Sequence, residues 1–171
     1  MKIIIDTNVT ISGLLWGGAP NQILKLCMNG VVRILESDET LGEVKSVLKY
    51  PKFSDRLSAL GTTAIKVFAY FMNLATYVPS PETIPDVIKQ DPFDNFFLGL
   101  ASENSASLIV SGDRHLLELE SYKGIQIVTP SVGVSVISNF LKFCPAQVLN
   151  LLIDSATVAC LDKDCMAARR K

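Results

Sequence analysis

The sequence predicts an α/β three-layer sandwich around a central, mainly parallel sheet, and three observations carry that expectation. The run Ile3-Ile4-Ile5 is β-branched throughout and ends abruptly in Asp6; such a run favours extended backbone buried on both faces. A second run, Leu108-Ile109-Val110-Ser111, ends in Gly112-Asp113. Between and after them, strand-like and helix-like stretches alternate, the pattern of a sheet covered by helices.

The chain of 171 residues is long enough for one domain with its own core, and its 49% hydrophobic content excludes disorder. No apolar run approaches the roughly 18 residues of a membrane span, and the start lacks the apolar region of a signal peptide, so a cytoplasmic protein without membrane attachment is expected. Cys27, Cys144, Cys160 and Cys165 form no C-x-x-C pair and read as thiols. The single histidine, His115, argues against an imidazole-built zinc site. A formal net charge of −1 argues against whole-surface attraction to nucleic acid but leaves room for a local basic patch.

Taken in order, Asp6-Thr7-Asn8 leads into an expected loop with Gly13, Gly17 and Gly18. Pro20 suits the first turn of a helix running to about Asn29 and ended by Gly30. Val31 to Leu35 reads as a strand. Ser37 or Asp38 caps a helix reaching about Lys49, stopped by Pro51. Phe53 to Leu60 reads as a short helix, and Ala64 to Ala75 as an apolar, mostly buried one, with Phe68, Phe71 and Met72 as a core stripe. A short strand at Tyr77-Val78 precedes a proline-marked loop, Pro79 to Gln90. Asp91-Pro92-Phe93-Asp94 opens a helix from Asn95 to Asn104. Leu108 to Ser111 is a strand, Arg114 to Leu119 a short helix, Ile125 to Val128 a strand, and Ser131 to Phe143 a helix. The division is residues 1–141 as the main domain and 142–171 as a helical extension, with Val148, Leu149, Leu152 and Ile153 on one stripe, packed on the domain or used for partner contact.

In a right-handed strand-helix-strand unit, strand C-termini and helix N-termini share one edge, and ligands of such sheets sit outside that edge. Asp6 and Asp113 end strands, Asp94 begins a helix, and Glu43 lies in the early turns of the helix after the second strand. Four acids would thus meet. Two like charges about 4 Å apart repel by roughly 4 kcal/mol at an effective dielectric near 20, whereas a helix N-terminus returns about 0.3–1 kcal/mol. Such a cluster needs protons or divalent cations, and carboxylate oxygens suit Mg²⁺ or Mn²⁺, the ions that assist phosphodiester hydrolysis. Each acid also has a structural alternative: Asp6 and Asp113 as caps, Asp94 as a helix-start acid, and Glu43 as the partner of Thr40 in a capping box.

Asp6-Thr7-Asn8, Ile11-Ser12-Gly13-Leu14-Leu15-Trp16, Glu43-Val44-Lys45, Tyr50-Pro51-Lys52-Phe53, Asp91-Pro92-Phe93-Asp94-Asn95 and Ser111-Gly112-Asp113-Arg114-His115 together resemble the PIN domain (PilT N-terminus) family, specifically its VapC-related toxins of toxin–antitoxin systems. The resemblance implies a Mg²⁺- or Mn²⁺-dependent endoribonuclease. Asp6, Glu43, Asp94 and Asp113 would be its catalytic and metal-binding acids, with Asn8 and Ser111 supporting them. It implies an RNA substrate, a separate antitoxin chain and a homodimer or higher oligomer. A PIN-like RNA- or protein-binding module without efficient catalysis is the alternative. Phe93 stands where relatives often carry another acid, and Val132-Gly133 replaces an acidic-aromatic pair. Lys45, Lys49, Lys52 and Arg56 near Glu43, and Arg114 beside Asp113, would reach RNA phosphates or simply form solvated helix faces.

Overall fold

The computed structural model describes residues 1–142; the expected C-terminal extension, three of the cysteines and the tail's apolar stripe lie outside them. Six strands form one sheet: β1 (Lys2–Ile5), β2 (Arg33–Glu36), β3 (Ala75–Tyr77), β4 (Leu108–Val110), β5 (Ser121–Tyr122) and β6 (Ile125–Val128). Their order is β3-β2-β1-β4-β6-β5, and every pairing except β5 with β6 is parallel. The α-helices of the described residues are α1 (Thr7–Leu15), α2 (Ala19–Met28), α3 (Asp38–Val47), α4 (Ser54–Ala59), α5 (Ala64–Leu74), α6 (Asp94–Glu103), α7 (Arg114–Glu118) and α8 (Pro130–Lys142).

The isoleucine run explains the layering. Successive side chains of a strand point to opposite faces. Ile3 and Ile5 join the core shared with α1, α2, α3, α5 and α8, while Ile4 joins the core beneath α6 and α7. Leu108 and Val110 divide from Ile109 in the same way, and Ile34 from Leu35. The register Ile3↔Leu108, Ile4↔Ile109, Ile5↔Val110 brings the ends of the two central strands level. The expected α/β sandwich is therefore the observed fold. Among the described residues no single helix is long and apolar enough to cross a membrane.

Several local expectations are corrected. The loop expected after Asp6 is helix α1: Asp6 caps it, its Oδ1 accepting from the Val9 amide at 2.6 Å. Gly13 belongs to that helix because α2 lies against it, and a Cβ there would stand 2.9 Å from the Pro20 carbonyl oxygen and 3.0 Å from Leu24 Cδ1. The second strand runs from Arg33 to Glu36, two residues later at its start and one at its end than expected. Helix α5 is not mostly buried. Only Val67 and Phe71 are, whereas Ile65, Tyr70 and Met72 are exposed, because just one side of the helix meets the core. Strand β5 was not foreseen. It pairs with β6 through a Lys123-Gly124 turn with φ of 47° and 80°, the mirror-image turn that matches strand twist.

Helix α6 departs from the usual one-sided burial: eight of its residues, Asp94 through Ala101, are buried. The loop before it supplies the outer cover. Asn95 accepts from the amides of Val87 (3.0 Å) and Ile88 (2.8 Å) and donates to the Ile88 carbonyl (2.7 Å). Glu103 accepts from the amides of Glu82 and Thr83, both at 2.9 Å. The loop thus lies along α6, close enough that a Cβ at Gly99 would sit 2.9 Å from the Thr83 carbonyl oxygen.

Gly13→Ala separates helix propensity from packing. Alanine is favoured in a helix by about 1 kcal/mol, but overpacking against a backbone oxygen costs about 1–3 kcal/mol. The expected result is a lower urea midpoint, a net loss on the order of 1 kcal/mol; a raised midpoint would show that α1 and α2 do not need so close an approach.

Candidate active site

Asp6 is the first residue past β1 and only 4% exposed. Its Oδ2 accepts a short hydrogen bond from the Ser111 hydroxyl and another from the Gly112 amide at 2.9 Å. The buried Ser111 also accepts from the Asp113 amide at 2.9 Å. One hydroxyl therefore ties the acids at the ends of both central strands. Asp113 in turn caps α7, its Oδ1 accepting from the His115 amide at 2.7 Å.

Glu43 comes from the second turn of α3. The capping box of that helix is made by Ser37 and Thr40, not by Thr40 and Glu43. Glu43 is thereby left to the site, where its Oε2 accepts from the Thr7 hydroxyl. Its carboxyl is held above the usual range, first by burial, with Asp6 and Asp91 adding repulsion against the lowering effect of Thr7.

Asp94 begins α6 and is buried; its Oδ2 has no hydrogen-bond partner among the described residues. Burial is the largest cause of a carboxyl pKa raised to about 7, followed by the charges of Asp113 and Asp91, a hydrogen bond with Asp113 and the charge of Asp6. The mutual influence runs from Glu43 to Asp6, from Asp6 to Asp94 and from Asp94 to Asp113. Four acids far apart in sequence are thus within electrostatic reach at one sheet edge.

Two further acids join that edge without having been singled out from sequence. Asp91, exposed, contributes charge to both Glu43 and Asp94. Glu36 ends β2, is 1% exposed and has an Oε1 without a partner among the described residues. Burial pushes its carboxyl up to about 8, against a lowering hydrogen bond with Thr40 and with a small addition from Glu43. The signal for Glu36 was present, since the second apolar strand also stops at an acid. The other candidates lie differently. Asn8 is exposed in the first turn of α1, and Thr7 beside it makes the contact to a carboxylate. Lys45 and Lys49 line a groove with Ala64, Ile65 and Phe68 of α5, Lys45 standing 5.8 Å from the Phe68 ring. Arg114 is paired along its own helix with Glu118 at 2.7 Å.

The donor set is carboxylate oxygen only, which selects hard cations. Among the described residues no three such groups stand together in a way that could hold a metal ion. Mg²⁺ does not require one, because it keeps several waters and is commonly held by one or two carboxylates. The unpartnered Asp94 oxygen beside Asp113 and Asp6 fits that mode.

A family model described as PIN domain matches residues 2–115, a span that includes all four acids and stops two residues beyond Asp113. The uncharacterized protein MJ1680 of Methanocaldococcus jannaschii is 31% identical over 120 residues, covering 70% of this chain and 75% of that relative. PIN domains are typically nucleases and generally use divalent metals. On the matched span, and with a mainly parallel sheet whose central strands lead into Asp6 and Asp113, the chain belongs to the PIN domain family.

Proposed function

We propose that this chain is an endoribonuclease that uses Mg²⁺ or Mn²⁺ to hydrolyse RNA phosphodiester bonds. The observation that carries the reading is the Ser111 hydroxyl held between Asp6 and the Asp113 amide, with the unpartnered Asp94 oxygen next to them. Bound at these carboxylates, a divalent cation supplies an activated water and neutralises charge on the leaving oxygen. The protein's own contribution is orientation. Val9, Ser111 and Gly112 fix Asp6, the His115 amide fixes one oxygen of Asp113, and Thr7 fixes one oxygen of Glu43. Each carboxylate oxygen has two lone-pair sites, so these bonds leave capacity for a metal or a water. Asp94 and Glu43 hold protons more tightly than ordinary carboxyls, and would have to give them up to hold a cation.

A second reading, an RNA- or protein-binding module without efficient catalysis, draws on the lack of a three-acid cage among the described residues and on Phe93, which is stacked against Phe96 with ring centroids 6.1 Å apart where a further acid would add charge. The role of toxin, with a separate antitoxin chain, rests on the resemblance to VapC-related proteins. Growth arrest on induced expression, relieved by co-expressing the product of an adjacent reading frame, is the expected behaviour; unimpaired growth with active enzyme present removes the toxin role.

Cleavage of a mixed-sequence RNA in Mn²⁺ is expected to stop with EDTA and to vanish in Asp6→Asn. Ser111→Ala, which keeps every acid, is expected to lose about 10- to 100-fold in metal affinity or rate. Undiminished cleavage in Asp6→Asn removes the proposed site, and loss of efficient cleavage with RNA binding intact favours the binding module.

The pH dependence follows from Asp94. Its folded-state pKa, about 7 against a usual 3.8, means the native protein keeps a proton that the unfolded chain has lost between those values. Stability of the metal-free protein should therefore fall as pH rises through that window, and Glu36, with a pKa near 8, extends the fall. Thermal unfolding from pH 5 to 8 checks this. Asp94→Asn should make the fall shallower up to about pH 7, leaving the part that Glu36 contributes, and saturating Mn²⁺ should raise the midpoint more at pH 8 than at pH 6. A metal effect independent of pH would exclude Asp94 as a ligand.

A further inference from the structure

At the far ends of α1, which begins beside Asp6, and of α3, which carries Glu43 in its second turn, aromatic rings and cations are interleaved. Trp16, the only tryptophan of the chain, ends α1 and is 42% exposed. Tyr50, just past α3, is 49% exposed. Between them lies the buried Phe53, edge-on to Trp16 with centroids 5.9 Å apart. Lys52 Nζ stands 5.0 Å from the Phe53 centroid and 5.8 Å from that of Tyr50. The Arg56 guanidinium lies 5.9 Å from the Trp16 ring and is anchored by Nε donating to the Leu15 carbonyl at 2.7 Å. Among the described residues the ion pairs are Lys89–Asp86 and Arg114–Glu118, so no carboxylate within 4.0 Å neutralises Lys52 or Arg56.

We infer that Trp16, Tyr50, Lys52 and Arg56 form a second contact for the substrate, a platform on which unpaired RNA bases stack while the two cations meet the flanking phosphates. The inference rests on the reading of RNA as substrate and narrows it to single strands. Exposed rings flanked by unpaired cations match a polyanion with accessible base faces; a duplex hides those faces. In a chain of net charge −1 this local cationic character is not a property of the whole surface. The platform is within reach of the carboxylates: seven residues separate Glu43 from Tyr50 and ten separate Asp6 from Trp16, about 10–15 Å at the helical rise. That is short against tracts of roughly 4–16 nucleotides covered by single-strand binding surfaces.

Trp16 is its own reporter. Wild-type protein is titrated with an oligouridylate of about ten nucleotides in EDTA, and with duplex RNA of equal length, following tryptophan emission and the anisotropy of labelled RNA. Saturable quenching by the single strand and little by the duplex is expected. Tyr50→Ala, at a half-exposed position, should weaken binding about 5- to 150-fold, and Lys52→Ala should lower the slope of log affinity against log salt by about 0.7. Trp16→Phe keeps a ring at the site and should bind between wild type and Tyr50→Ala. Cleavage in Mn²⁺ is measured alongside. RNA bound or cleaved with emission unmoved and Tyr50→Ala unaffected overturns the platform and leaves the ribonuclease reading standing. Quenching without cleavage supports the platform while the ribonuclease reading fails. Equal quenching by duplex overturns it, as does an absence of RNA binding, which would leave Trp16 as a protein-docking face.

Discussion

A buried carboxylate at the seam between the two central strands is the constraint on which the rest of this fold depends. Leaving a charge in the interior is costly unless it is hydrogen-bonded. Asp6 meets that requirement with three donors from two directions, Val9 from the first turn of α1 and Ser111 and Gly112 from the exit of β4. The same residue donates its amide to the Val110 carbonyl at 3.1 Å, continuing the ladder that sets Ile5 opposite Val110. Strand register, helix entry and the orientation of the acid are therefore one solution. A one-residue slip of β4 would exchange its buried faces and also remove two of the donors.

The neighbouring acids are handled in the opposite way. Asp94 and Glu36 are as buried as Asp6, yet each has an oxygen without a partner. Neither has the set of donors that Asp6 has, so burial and like charge lift both toward neutrality, in Glu36 against a hydrogen bond with Thr40. Native folds rarely leave buried polar atoms unpaired, and here two of the three such side-chain atoms among the described residues belong to acids of one sheet edge. Local energy is sacrificed where a cation would restore it, which is the usual location for such conflicts.

How much of this was legible follows from which forces act locally. Ile3–Ile5 and Leu108–Val110 were readable because β-branched runs buried on two faces leave a signal that needs no context. Asp6 as the end of a strand was readable for the same reason. Helix α1 was not: Gly13, Gly17 and Gly18 spell a loop by propensity, and only the approach of α2, a tertiary fact, explains a glycine inside the helix. The exposure of α5 is not legible, because apolar composition gives no account of how many neighbours a helix meets. Glu36 is harder to read, because the apolar run of its strand stops at Leu35 while the strand itself runs on to the acid. The Lys123-Gly124 hairpin lacks the Asn-Gly signature of its turn, and its φ values emerge from the pairing itself.

The loop between β3 and α6 shows why the acid at a helix start became unusual. An aspartate in a first turn ordinarily faces solvent and gains from the helix dipole. Here Asn95 and Glu103 hold the loop along α6 by five hydrogen bonds to its backbone, and Pro79, Pro81, Pro85 and Pro92 reduce what that ordering costs in chain entropy. The covered helix carries Asp94 into the interior, and Asp91, at the end of the same loop, adds the second negative charge that acts on it. The charge state of the site is thus tied to a segment without regular structure, held by an asparagine bonded to the backbone of Val87 and Ile88. Loss of the Asn95 side chain would remove three of the five hydrogen bonds that hold this loop, with the four acids themselves unchanged, so the setting of this edge depends on the cover as well as on the acids.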